Sequence, residues 1–172
     1  LSFVNNLSTA LSYKNWGSIT SVSYSSFDNI RIGKNRNHGF SDWGLTPYHS
    51  LNSRNQFKAK PTTNSRPTIQ KNTGYDQLDV FQKFLVHLPR DMFLSLNLQY
   101  SESSDIDRYD KLVEERNGSL RFSEWYYGPQ KRFFLSPQLK FFMGRNWLKK
   151  GTLTAAYQNV EESRINRKFG SL

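Results

Sequence analysis

The chain has 172 residues, 36% of them apolar, 15% aromatic and 22% charged, with a formal net charge of +10. It has no cysteine, which excludes a disulfide framework, a thiolate zinc site and a cysteine nucleophile. No run of 18 apolar residues occurs, so no transmembrane helix is expected, while the aromatic content is too high for a disordered chain.

Period-two alternation dominates the sequence, and it predicts strands because successive strand side chains point to opposite faces. The first candidate sets Leu1, Phe3, Leu7, Leu11 and Tyr13 against Ser2, Asn6, Ser8 and Ser12. After a tight joint at 14–16, Trp16, Thr20, Val22 and Tyr24 alternate with Gly17, Ser21 and Ser23. A very long connection, 28–74, follows. The third candidate sets Leu78, Val80, Phe84, Val86 and Leu88 against Gln77, Asp79, Lys83 and His87. A tight joint at 89–91 leads into the clearest strand, with Met92, Leu94, Leu96, Leu98 and Tyr100 on one face. Phe93, Ser95, Asn97 and Gln99 form its other face. A second long connection, 104–131, precedes Phe133, Leu135, Pro137, Leu139 and Phe141, which alternate with Ser136, Gln138 and Lys140. A short-to-medium joint at 144–151 leads to Leu153, Ala155 and Tyr157, after which 161–167 is polar.

Short and long joints thus alternate. In an antiparallel meander this puts the long loops on one rim and the tight turns on the other, as in outer-membrane β-barrels. The six apolar faces contain no charged residue, and the strand charges Asp79, Lys83 and Lys140 fall on the opposite face. Tyr13, Trp16, Tyr24, Tyr100 and Trp147 sit near segment ends, where an interfacial aromatic belt belongs. A soluble sheet packed on a core shows the same alternation and remains open as an alternative. The expected fold is all-β: an antiparallel up-and-down meander of about six strands. Six strands are too few to close a membrane barrel, which starts at eight, so the sequence reads as a piece of a larger chain.

Several stretches carry a family resemblance. Residues 21–37 (SVSYSSFDNIRIGKNRN) and 39–48 (GFSDWGLTPY) resemble the first barrel hairpins of TonB-dependent outer-membrane receptors, of the Bacteroidetes type related to haem and haemoprotein receptors. Residues 99–112 (QYSESSDIDRYDKL), 120–132 (LRFSEWYYGPQKR) and 156–164 (AYQNVEESR) are similar to further blocks of that family, with Asp107 where proline is expected. The resemblance implies that residues 1–172 are about strands 2–7 of a 22-stranded transmembrane barrel, without its plug domain or signal peptide. It implies a monomer in the Gram-negative outer membrane that imports a scarce nutrient, an iron carrier such as haem or a siderophore. Its partners would be the TonB complex, reached through the missing plug, the lipid bilayer, lipopolysaccharide, and the iron carrier or a haemoprotein. The alternatives are a soluble all-β binding module with long loops and a passive porin.

The long loops hold the candidate ligand-contact residues. His38, Trp43, Tyr48 and His49 lie in the first, and Tyr109, Trp125, Tyr126 and Tyr127 in the second. Imidazoles suit haem iron and convergent aromatics suit a ligand platform, while solvated histidines and loop-packing rings are the plain alternative. No compact metal-ligand spacing, resident cofactor or catalytic constellation is expected, so the chain does not read as an enzyme. The cations Lys34, Arg36, Arg54, Lys58, Lys60, Arg66 and Lys71 crowd the first loop. They would attract an anionic ligand or lipopolysaccharide phosphates, or stay solvated. Nucleic-acid binding is not expected, since the basic residues do not share a sheet face with the aromatics.

Overall fold

The computed structural model describes residues 2–33, 35, 39–50, 60–145 and 148–171. The chain is all-β with one short helix, and its sheets are antiparallel. β1 (Phe3–Tyr13) and β2 (Trp16–Phe27) form a hairpin. The first long connection carries four two-residue strands: β3 (Ile30–Arg31), β4 (Tyr48–His49), β5 (Thr62–Thr63) and β6 (Ile69–Gln70). β7 (Tyr75–Leu88) and β8 (Met92–Ser103) form the second hairpin. The second long connection holds β9 (Ile106–Asp107), α1 (Tyr109–Leu112), β10 (Glu115–Arg116), β11 (Ser119–Leu120) and β12 (Phe122–Tyr127). β13 (Lys131–Arg145) then pairs with both β14 (Leu148–Thr154) and β15 (Tyr157–Glu161). β16 (Arg164–Lys168) follows.

The main sheet has the order β1-β2-β7-β8-β13-β14, with β15 also on β13; it is an open meander. The six expected strands are all present. The sixth is divided at 155–156, opposite Pro137. Ala155 donates to the Pro137 carbonyl at 3.1 Å. The proline ring has no N–H to return, so the ladder lapses there.

Two expectations need correction. The joint at 144–151 is tight, because β13 runs on to Arg145 and pairs there with Leu148. The polar tail at 161–167 is not a plain loop: β16 pairs with β12. Its side chains alternate between exposed and half-buried, and β12 supplies the apolar partner surface. Three tight joints therefore share one rim. The turn after β7 relies on left-handed backbone at Arg90 (φ 64°) and Asp91 (φ 53°). Both long connections leave from the other rim.

Register decides which side chains share a face, because directly paired residues point the same way. Val22 pairs with Val80, Val80 with Tyr100 and Tyr100 with Phe133. Phe84 pairs with Leu96, Leu96 with Pro137, Leu94 with Leu139, and Leu139 with Leu153. The apolar faces expected strand by strand thus merge into one continuous face. It carries no charge until the loop rim, where Asp76, Glu102, Lys131 and Glu161 border it. Polar side chains on this face include Ser18, Thr20 and Gln82, which satisfy one another: Gln82 accepts from Thr20 Oγ1 at 2.5 Å and donates to Ser18 Oγ at 2.8 Å. Gly151 lies under the Phe141 ring, which covers the gap left by its missing side chain.

The opposite face holds Asp79, Lys83, Arg132 and Lys140 with many serines, asparagines and glutamines. Two hollows of about 380 and 350 Å³ open on this face, the second lined by Ala10, Ile19 and Leu85 beside Lys83.

The buried residues lie elsewhere. Leu112, Leu120, Phe122 and Tyr126 are the buried large apolar side chains among those described, and all belong to the second long connection. Among the described residues of the main sheet only Ser103, at the loop rim, is buried. Leu7, Leu11, Trp16, Phe84, Leu94 and Leu153 remain exposed on the apolar face, and no second layer of the described chain covers them.

Candidate ligand-capture site in the loops

The first loop is closed at its neck by hydrogen bonds rather than by a core. Asn29 Oδ1 accepts from Thr73 N at 3.0 Å and Gly74 N at 3.3 Å, and Ile30 N donates to Thr73 Oγ1 at 2.7 Å. A side chain at Gly74 would sit 2.6 Å from the Phe27 carbonyl oxygen, so only glycine fits the crossing. Farther out, the ladders β3·β6 and β4·β5 meet at Thr46 and Asn64, which are 5% and 3% exposed. Asn64 Nδ2 donates to the Thr46 carbonyl at 2.9 Å and the Ile69 carbonyl at 3.0 Å, and its Oδ1 accepts from Arg66 N at 3.1 Å. One buried amide thus ties three backbone groups together where there is no hydrophobic core, and Thr46 Oγ1 shares the Ile69 carbonyl at 3.1 Å.

The second loop has a small apolar core. Asn117 (φ 55°) and Gly118 (φ 75°) make the two-residue turn between β10 and β11, as Asn-Gly does in primed hairpin turns. Past this turn Leu120 is buried, as are Leu112, Phe122 and Tyr126. Ion pairs surround the core: Glu114 with Lys111 at 2.9 Å and Arg121 at 2.5 Å, Arg108 with Asp110 at 2.6 Å, and Glu124 with Arg167 at 2.8 Å. Lys111 and then Arg121 hold the Glu114 carboxyl below its ordinary range, and Arg108 does the same for Asp110. Burial pushes the Tyr109 phenol up. The Glu124–Arg167 pair also clips β16 to β12 across a register shift between Phe122 and Glu124.

The two loops touch. Asn72 Nδ2 donates to Asp107 Oδ2 at 3.0 Å. Beside this contact Tyr48, His49 and Tyr109 line one small hollow with Lys71 and Leu112. Its volume is about 10 Å³, room for about one water, so these three rings pack the loops together and leave no ligand-sized space. His49 Nδ1 lies 3.0 Å from the Ser50 carbonyl, and Ser50 Oγ is buried without a partner.

The remaining candidates are distributed differently. Tyr126 is 8% exposed and belongs to the core. Trp125 is half-buried: its ring meets that of Phe122 edge-on at 4.4 Å and its Nε1 is buried without a partner among the described residues, while the Arg164 guanidinium lies 5.4 and 5.9 Å from the Trp125 and Tyr127 ring centres. Lys111 and Arg108 also approach the Trp125 ring, at 5.6 and 5.8 Å. Trp43 is 71% exposed on a turn of the first loop. His38 and the cations Lys34, Arg36, Arg54 and Lys58 lie outside the described residues, as does Trp147 of the expected aromatic belt. Among the described residues, no three His, Asp or Glu side chains stand close enough to hold a metal ion.

Asn64 and Thr46 were not legible as structural residues, since small polar residues in a polar loop look solvated. Arg164 had no signal either, because its aromatic partners lie on a strand distant in sequence. The Asn117–Gly118 dipeptide, by contrast, is a hairpin signal that a reading for turns would have used.

No protein-family model matches the chain, and no match was found among curated proteins or among solved structures.

Proposed function

We propose that this chain is barrel wall and surface loops of a TonB-dependent outer-membrane receptor that imports an iron carrier, haem or a siderophore. The observation that carries this reading is the single uncharged apolar face, shared in register by every strand of a one-layer sheet and still exposed. Monomeric soluble proteins rarely expose an apolar patch beyond a few hundred Å². Hydrocarbon tails satisfy such a face, and an Arg or Lys on it would cost about 2–4 kcal/mol at mid-bilayer. At about 3.3 Å per residue, the apolar run 92–100 spans about 26 Å along the strand, the reach a tilted membrane strand needs. On this reading the opposite face, with Asp79, Lys83, Arg132 and Lys140, lines a wet lumen, and both long loops stand at the cell surface. The absence of a second layer favours lipid over the soluble binding module.

The test is single-cysteine labelling in the full-length protein in outer-membrane vesicles. The Leu94→Cys and Leu98→Cys variants should be shielded from a water-soluble maleimide and quenched by brominated acyl chains, while Asn97→Cys should show the reverse. Equal aqueous reactivity on both faces overturns the membrane reading. Growth on haem or a ferric siderophore as sole iron source, with and without a functional TonB, then separates an energised importer from a passive porin.

A further inference from the structure

The tip of the β10·β11 hairpin takes no part in the loop core or in the contact between the loops. Arg116, Asn117, Gly118 and Ser119 are all exposed. Nothing lies within 4 Å of the place that a side chain at Gly118 would take. Among the described residues neither the Asn117 side-chain amide nor the Gly118 N–H has a hydrogen-bond partner. Asparagine and glycine suit the turn because both take left-handed backbone there. The same pair, which occurs once in the sequence, is open to a reaction between its own groups. With no side chain on Gly118, its backbone nitrogen is unshielded toward the asparagine side chain.

We propose that Asn117 is a spontaneous deamidation site whose conversion loosens the second loop. The Gly118 nitrogen, once it has lost its proton to hydroxide, attacks Asn117 Cγ. The bond from Cγ to the side-chain nitrogen breaks, and that nitrogen takes up a proton from water and leaves as ammonia. A succinimide ring now joins the two residues. Water opens it at either carbonyl: attack at the side-chain carbonyl gives aspartate, and attack at the main-chain carbonyl gives isoaspartate, in which the chain runs through Cβ. In sum an amide and a water give a carboxylate and an ammonium ion, with no oxidant, reductant or cofactor.

The fold sets the pace. Left-handed backbone at Asn117 holds Cγ and the Gly118 nitrogen apart, so the turn must open before the ring can close. Opening is easy, because the hairpin tip rests on the pairs Arg116–Ser119 and Glu115–Leu120, and so short a hairpin has little stability of its own. Buried Leu120 is the anchor that recloses it. Isoaspartate lengthens the main chain inside a turn whose register is fixed by its two residues, so it should draw Leu120 out of the core. The site does not depend on what covers the apolar face of the sheet.

The test ages the full-length protein in outer-membrane vesicles at mildly alkaline pH. Mass spectrometry of peptide 116–124, released by cleavage after glutamate, should show the amide-to-acid mass gain at Asn117, partly as isoaspartate. The rate should exceed that at Asn166, exposed in β16, by roughly tenfold or more, and should rise with hydroxide concentration. Phe122→Ala, which empties the loop core, should speed it several-fold. Conversion should also release the Arg121 amide, bonded to the Glu114 carbonyl at 2.9 Å, to faster hydrogen exchange. Asn117→Gly keeps a residue suited to left-handed backbone but has no amide, so its Arg121 amide should stay protected through the same ageing. Three results would overturn the inference. Asn117 and Asn166 could convert at one rate. Phe122→Ala could leave the rate unchanged, so that opening of the loop does not pace it. Or Arg121 could stay protected in fully converted protein, leaving the loop unaffected.

Discussion

The sheet and the loops of this chain solve the same problem in opposite ways. The sheet has long strands, full ladders and large apolar side chains, yet buries almost nothing but Ser103. The loops have mostly two-residue strands, one six-residue strand (β12) and a four-residue helix, yet contain all the buried large apolar residues among those described. Hydrogen bonding and burial are separable: the sheet is held by backbone ladders and awaits another solvent for its apolar face, whereas the second loop carries its own core into water. A one-layer sheet needs a covering of lipid or protein, while a loop with a buried apolar core of its own does not.

The contrast breaks most sharply with substitutions that act on one region only. Phe122→Ala empties the loop core and should cost about 3–5 kcal/mol there. Limited proteolysis should then cut within 104–130 much faster, while amide exchange in β7 and β8 stays protected. If the strands open as well, the two regions are one cooperative unit. Leu96→Arg does the reverse. It puts a charge at the centre of the apolar face, between Phe84 and Pro137, and should cost about 2–4 kcal/mol in a bilayer. The neighbouring Asn97→Arg should cost little, because it points to the wet face. Urea titrations of the protein in lipid vesicles compare the two, and equal losses would remove the distinction between the faces.

Gly74→Ala probes the junction of the regions. Its new methyl would meet the Phe27 carbonyl oxygen, so the neck of the first loop must shift at a cost of about 1–3 kcal/mol. Exchange of the Thr73 and Gly74 amides, which are held by Asn29, should quicken before any change in β2 or β7. An unchanged exchange rate would show that the neck is already open.

What was legible in the sequence follows the same division. Alternation alone marked the six strands, because a face that meets one medium throughout leaves a period-two record. It could not say that the six faces coincide, since register is fixed by pairings such as Val80 with Tyr100. The loops gave up less. The tail at 161–167 read as polar connection because β16 takes its partner, β12, from a segment about 40 residues away. The aromatic cluster at 125–127 was visible, but not that Tyr126 is buried while Trp125 and Tyr127 stay half-buried, with Trp125 packed edge-on against Phe122. Tyr48, His49 and Tyr109 were found singly as ligand candidates; their meeting around a water-sized space at the loop contact is a tertiary fact with no local signal.

The smallest effect expected is a pH dependence confined to the loops. Lys111 and Arg121 depress the Glu114 carboxyl, and Arg108 depresses that of Asp110. A carboxyl that is more acidic folded than unfolded contributes stability above its unfolded pKa, about 4 for these groups, and loses it as pH falls through the lower folded value. The second loop should therefore keep constant stability from neutral pH down to about 5 and loosen progressively below about 4. These pairs are half-buried at the loop surface, with Asp110 exposed, so salt should still weaken the effect. Amide exchange of Arg121 and Leu112 should show the acid loosening relative to β8. In a Glu114→Gln variant it should shrink, since that variant has already lost the charge at neutral pH. If β8 loosens in parallel, the acid response belongs to the whole chain and the loop's independence is lost.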